Sequence, residues 1–171
     1  MTYRPLILAL DIATTTGFAT GKVGEIPVAG SVRFGRDNAS ANAVFGHALT
    51  WLSEILEPKP RPDIVVIESM LSPEATQGHS SRDVRDRLAG LHGVMRAVAH
   101  LRGVYNISEA SVDDVRAHFI GLRHLKRKQA KAEVVARCHQ MGWATFDDNA
   151  ADALALWSYQ VALIELAGTS M

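Results

Sequence analysis

The sequence predicts an α/β domain built on a mixed five-stranded sheet, with elements in the order βββαβαβα and helices flanking the sheet. Three observations carry that reading. Short apolar runs of strand length alternate with longer runs of helical period, and the first three short runs are separated by turns too brief for a crossover. Two of the short runs, moreover, end in a carboxylate, Asp11 and Glu68. With 171 residues, 47% of them hydrophobic and 6% aromatic, the chain suits one globular domain over residues 1–171 with a sizeable core and no linker.

The first strand is the apolar run from Pro5 to Asp11, and a Thr/Gly turn leads from it into a Gly-containing run, Gly17 to Val23. Pro27 to Phe34 supplies a third strand, so the opening reads as an antiparallel meander. From Asn42 to Leu56 the residues Val44, Phe45, Ala48, Leu49, Leu52, Ile55 and Leu56 recur at helical spacing, and Pro58 and Pro60 stop that crossover helix. A fourth strand, Asp63 to Met70, carries Glu68. The polar segment from Ser69 to Ser81, with Pro73 and Gly78, reads as a mobile loop.

Arg82 to Leu101 forms the next helix, with Val84, Leu88, Leu91, Met95 and Val98 inward and Gly90 and Gly93 suited to close packing against a neighbour. Gly103 to Ser108 is the fifth strand. Ser111 followed by Asp114 resembles a capping box for a short helix ending near Gly121, and a further helix runs from about Lys128 to Met141. The last helix opens at Asp147-Asp148-Asn149-Ala150-Ala151-Asp152 and continues to about Leu166.

Composition narrows the setting. The single cysteine, Cys138, excludes an internal disulfide and any Cys-based zinc spacing, so a reducing, cytoplasmic environment is expected and any metal would be held by oxygens. The apolar run from Leu6 to Ile12 is too short for a signal core or a membrane span, and no membrane association is expected. Net charge is zero, with 18 basic and 18 acidic residues, which by itself says nothing about nucleic acid. The distribution is more informative: Arg116, Arg123, Lys126, Arg127, Lys128, Lys131 and Arg137 face only Glu133 over one stretch, either a phosphate footprint or a solvated helix face.

The acids carry the chemistry. A buried strand end has little use for an unpaired carboxylate, which costs several kcal/mol, so Asp11 calls for a cation unless it merely opens an Asx turn toward Gly17. Asp148 and Asp152 stand four residues apart, on one helix face, where like charges repel. Helix capping accounts for Asp147 or Asp148 but not for Asp152.

A strand ending in Asp11, two more strands, a helix, a strand ending in Glu68 and a final helix with Asp148, Ala151 and Asp152 together resemble the RuvC family of Holliday-junction resolvases, within the RNase H-like nucleases. Leu88 to Val94 looks like the family's helix after its catalytic Glu, and Val115-Arg116, Gly121, Lys131 and Val134 look like a further family segment. The resemblance spans nearly the whole chain, with two departures. The last-helix pair is at i,i+4, with Asn149 where the well-known members have their first acid, a form resembling phage and prophage members. Leu71 occupies the position of an aromatic wedge.

What the resemblance implies is a structure-specific endodeoxyribonuclease acting on four-way junctions in DNA recombination and repair. Asp11, Glu68, Asp148 and Asp152 would be catalytic and would hold two Mg2+ ions, with Mn2+ able to substitute, about 3.5–4 Å apart for an in-line attack on a phosphodiester. Leu71, Arg116, Arg123, Lys126, Arg127, Lys128 and Lys131 would contact DNA, and the active unit would be a homodimer joined through the helix from Arg82 to Leu101. Three rival readings are a looser fork or flap nuclease, a non-catalytic RNase H-like DNA-binding protein, and the phosphate loop of sugar kinases or actin-like ATPases, which the D-x-x-T-T-T-G turn also resembles.

Overall fold

The structure, a computed structural model, describes residues 4–70, 81–123, 125–145 and 147–169. Its elements are β1 (Leu6–Asp11), β2 (Thr15–Lys22), β3 (Val28–Arg33), α1 (Ala41–Ile55), β4 (Ile64–Glu68), α2 (Arg82–Leu101), β5 (Ile107–Ala110), α3 (Val112–Ile120), α4 (Arg127–Gln140) and α5 (Asp148–Thr169). They form one five-stranded sheet in the order β3-β2-β1-β4-β5. The β1–β2 and β2–β3 pairs are antiparallel, as the short turns require, and β1–β4 and β4–β5 are parallel, as helical crossovers require. The closing α of the predicted order consists of the three helices α3, α4 and α5.

Strand alternation divides the core into two layers. Ile7 and Ala9 on β1, Ala19 on β2 and Ile64 and Val66 on β4 pack under α5, with α3 and α4 beside it. Leu8, Leu10, Val65 and Ile67 point the other way, onto Val44, Ala48 and Leu52 of α1 and Leu91, Met95 and Val98 of α2. Because Leu52 is fully buried there, trimming it to alanine is expected to cost about 2–5 kcal/mol. Serine side chains cap α1, α2 and α3 at Ser40, Ser81 and Ser111, the last as the capping box predicted, and Gly121 ends α3 in the left-handed conformation.

Two expectations need correcting. The fifth strand is not Gly103 to Ser108 but Ile107–Ala110. Gly103, at φ 85°, and Val104 instead close α2 by donating to His100 and Ala99, so the ladder starts only where Ile107 meets Val65. On α2, Gly90 does pack tightly, since a Cβ there would overlap the Phe45 ring, but Gly93 faces open space, and Val84, expected inward, is exposed in the first turn. Leu91 and Met95, expected to face inward, are wholly buried in the core. What α2 leaves on its outer side is a stripe including Ala89, Gly93 and Ala97. The segment predicted as a mobile loop falls largely outside the described residues. Among the described residues no helix is long and apolar enough to cross a membrane.

Candidate active site

Strand parity brings the two strand-end acids together. On β1 the α5-facing positions are Ile7, Ala9 and then Asp11; on β4 they are Ile64, Val66 and then Glu68. Leu10 pairs with Ile67, so Asp11 and Glu68 stand side by side one position beyond, on strands about 4.8 Å apart. Both border a cavity of about 490 Å³ at this end of the sheet, which Asp152 of α5 also lines.

Crowding of negative charge in this buried place shows in the acids' proton affinities. Burial, followed by repulsion from Asp152, pushes Asp11 up to about 6 against the partial relief of Lys131 and Arg127. Burial, then repulsion from Asp11 and Asp152, pushes Glu68 up to about 8, with Arg116 and Lys131 opposing. Asp152 is raised too, mainly by burial. Asp148 goes the other way: the hydrogen bond from Lys131 lowers it. The Lys131 ammonium donates to Asp148 Oδ2 at 2.5 Å and lies 3.8 Å from Asp152 Oδ2.

The four predicted acids therefore differ in position. Asp11, Glu68 and Asp152 line the cavity. Asp148 sits at its edge with its side chain 46% exposed, while Asn149 borders the cavity itself. Asp147 is the helix cap, its Oδ1 accepting from the Ala150 amide at 2.8 Å, which releases Asp148 from that duty. The β1–β2 turn is tied by Thr16, whose fully buried hydroxyl donates to the Ala13 carbonyl at 2.7 Å and accepts from the Ala13 amide at 3.2 Å, so it is closed by a threonine and not by Asp11.

The basic residues separate into two sets. Arg116 of α3 and Arg127 and Lys131 of α4 line the acid cavity. Lys126, Arg127 and Lys128 are exposed around the first turn of α4, where no acid and no side-chain cap offsets the positive helix end. Arg123 is exposed and pairs with Asp114 at 3.3 Å. Leu71 lies outside the described residues. Sequence reasoning gave no site role to His92, a buried α2 residue on the cavity wall whose proton affinity is lowered mainly by burial and also by the charge of Arg96. Its inward helical spacing after Leu88 was the available signal.

The donor set suits a hard divalent cation in kind, because the converging carboxylates offer oxygen and their mutual repulsion calls for positive charge. Among the described residues no three His, Cys, Asp or Glu side chains are gathered into a ready-made ion cage. Asp11, Glu68 and Asp152 line one cavity, and Lys131 pairs with Asp148 and Asp152 of α5.

No family model matches the chain, and no curated protein matches it. Solved structures do. Thermus thermophilus RuvC in complex with Holliday junction substrate superposes with a TM-score of 0.68 at 16% identity, covering 89% of this chain and 90% of that one. A second Thermus thermophilus RuvC structure gives 0.68 at 17% identity, covering 96% of each chain. The yeast mitochondrial Holliday junction resolvase Ydc2 gives 0.60 at 12% identity, covering 93% of this chain and 80% of that one. The fold is thus the RNase H-like fold of the RuvC resolvases.

Proposed function

We propose that this chain is a divalent-metal-dependent endonuclease of the RuvC type that resolves four-way DNA junctions by paired, symmetric nicks. The observation that carries the reading is the buried cluster of Asp11, Glu68 and Asp152, mutually repelling yet ringed by Arg116, Arg127 and Lys131. An acid cluster inside a cationic rim is what a phosphodiester substrate and a metal cofactor together require. The fold it shares with structures of Holliday junction resolvases supports the same substrate.

Asp11, Glu68 and Asp152, completed by Asp148 at the edge, would hold Mg2+ or Mn2+, which supplies an activated water and charge stabilisation for the leaving oxygen. The chain's own cations do the positioning. Arg116 and Arg127 flank the cavity, where they balance a phosphate brought beside the acids. Lys131 keeps Asp148 ionised and turned toward α4. Lys126, Lys128 and the open start of α4 extend the cationic surface outward for the DNA backbone, with Arg123 and, at the wedge position, Leu71 completing the DNA contacts.

A homodimer meets the two-fold symmetry of a four-way junction, with one acid cluster per nick. The exposed Ala89, Gly93 and Ala97 stripe of α2 is the surface that permits close helix approach. Such a protein works in the cytoplasm in recombination and repair. The deciding experiment is incubation of the protein with labelled four-way junction, Y-fork and linear duplex in Mg2+. Matched nicks in the junction support the reading. Equal or preferred cutting of the fork points to the looser branched-DNA nuclease, and binding without cutting to a non-catalytic DNA-binding protein.

A further inference from the structure

The register continues past the acids. Asp11 of β1 is opposite Gly17 of β2, and Gly17 is opposite Ser31 of β3, so Glu68, Asp11, Gly17 and Ser31 form one row across four strands on the side that meets α5. The start of α5 rests on the outer half of that row. Ser31 Oγ donates to Asp147 Oδ2 at 2.5 Å, while the other oxygen of the same carboxylate caps the helix at Ala150. A Cβ at Gly17 would overlap the Asn149 carbonyl, so helix and strand are already at closest approach there.

Asp152 belongs to the same helix, five residues after Asp147 and five before Trp157, or about 7.5 Å along the axis from each. Trp157 is a second tie to the sheet, its Nε1 donating to the Gly21 carbonyl at 3.2 Å, and Gln160, accepting from Ser108 at 2.9 Å, is a third. The Asp147 tie is the one at the acid end. One charge-assisted bond and one backbone contact therefore determine how far the helix-borne acid stands from the strand-borne acids.

We propose that Ser31 and Gly17 are positioning residues for the acid cluster: Ser31 holds the first turn of α5 on the sheet through Asp147, Gly17 lets it lie flush, and together they set the gap across which Asp152 faces Asp11 and Glu68. The proposal deepens the metal-dependent reading and rests on it. A displacement of about 1 Å at such a site is worth on the order of a hundredfold in rate.

The test is Mn2+ binding to the metal-free protein without DNA, read by calorimetry or by the loss of free-ion paramagnetic resonance, alongside the thermal midpoint of the same metal-free sample. Ser31→Ala is expected to weaken Mn2+ binding about tenfold, the range for residues that orient ligands without touching the ion, and to change the metal-free midpoint little. Ser31→Thr, which keeps the hydroxyl, restores binding. Asp147→Asn retains a capping oxygen but loses the carboxylate that receives the serine proton, and it is expected to weaken binding as well, so the proposal stays testable if Ser31→Ala does not fold. Unchanged Mn2+ affinity in a folded Ser31→Ala or Asp147→Asn protein overturns the proposal. So does a lowered midpoint with wild-type affinity, which assigns the bond to stability alone. Wild-type protein that binds Mn2+ but cuts no branched DNA refutes the nuclease reading and leaves the positioning result standing, so the two failures are distinguishable.

Discussion

The sheet-borne and helix-borne halves of the acid cluster solve the same electrostatic problem in opposite ways. Asp11 and Glu68 are buried at adjacent strand ends with no hydrogen-bonded cation of their own among the described residues, and both hold their protons far above the ordinary carboxylate range. Asp148, half-exposed on the first turn of α5, is bonded to Lys131 and held below that range. The strand acids thus lack a bonded cation, whereas on the helix Asp148 has one and Asp152, raised like the strand acids, lies farther from it. A cation binding between them relieves the strand acids most, so function should be concentrated there.

The largest expected effect breaks the sheet-borne half. Asp11→Asn or Glu68→Gln should reduce Mg2+-dependent junction cleavage by about a thousandfold, equivalent to about 4 kcal/mol of barrier, while junction binding measured by gel shift survives. Wild-type nicking by both variants would end the assignment. Asp148→Asn, by the same comparison, should cost much less than Asp152→Asn in a parallel cleavage series.

A second prediction concerns proton linkage in the metal-free protein. Because Asp11 and Glu68 bind protons more tightly folded than unfolded, stability falls as pH rises from the unfolded values of 3.8 and 4.5 through the folded values of about 6 and about 8. Denaturant unfolding should show a loss on the order of a few kcal/mol between about pH 4.5 and about pH 8.5. Asp11→Asn should flatten that profile, and saturating Mg2+ should reverse it at the alkaline end. A profile that rises over this window would contradict this arrangement.

Smaller effects separate the cations. Neutralising Arg123, Lys126, Arg127 and Lys128 together should weaken DNA binding and flatten its salt dependence, by about 0.9 in the logarithmic slope for each phosphate no longer neutralised. Arg123 is engaged with Asp114, so Arg123→Gln alone should shift that slope less than Lys128→Gln. An unchanged slope in the fourfold variant would return the cluster to an ordinary solvated helix face. Least of all, Lys131→Met should lower stability by less than about 1 kcal/mol, because solvent screens the half-exposed Asp148. Its effect on cleavage should be far larger than its effect on unfolding.

Much of this arrangement was legible in the amino-acid order because it depends on local periodicity. Short, continuously apolar runs ending in Asp11 and Glu68 identify both the sheet and the two acids, and the helical recurrence of Val44, Ala48 and Leu52 identifies the crossover. The fifth strand was misplaced because Gly103 and Val104 look extended in sequence but complete the turn that closes α2. Val84 was expected inward from its helical spacing with Leu91 and Val98, but it stands in the first turn of α2, where the core no longer covers it. Ser31, Gly17 and Asp147 were silent for a different reason. Their roles arise from a cross-strand row and a contact 116 residues apart in sequence, which no local window contains.

The two-layer core also divides the chain's tryptophans, with an optical consequence. Trp51 lies against Phe18 and Phe34, with ring centres 5.5 and 5.6 Å away, in the layer under α1 and α2. Trp143 and Trp157 meet edge to face at 5.9 Å in the layer under α5, where Trp157 is also bonded to Gly21. Emission from Trp51 therefore reports on one side of the sheet, and the Trp143–Trp157 pair, close enough to exchange excitation, reports on the other. With three tryptophans so divided, replacing Trp51 with phenylalanine leaves emission only from the layer that carries the acid-bearing helix.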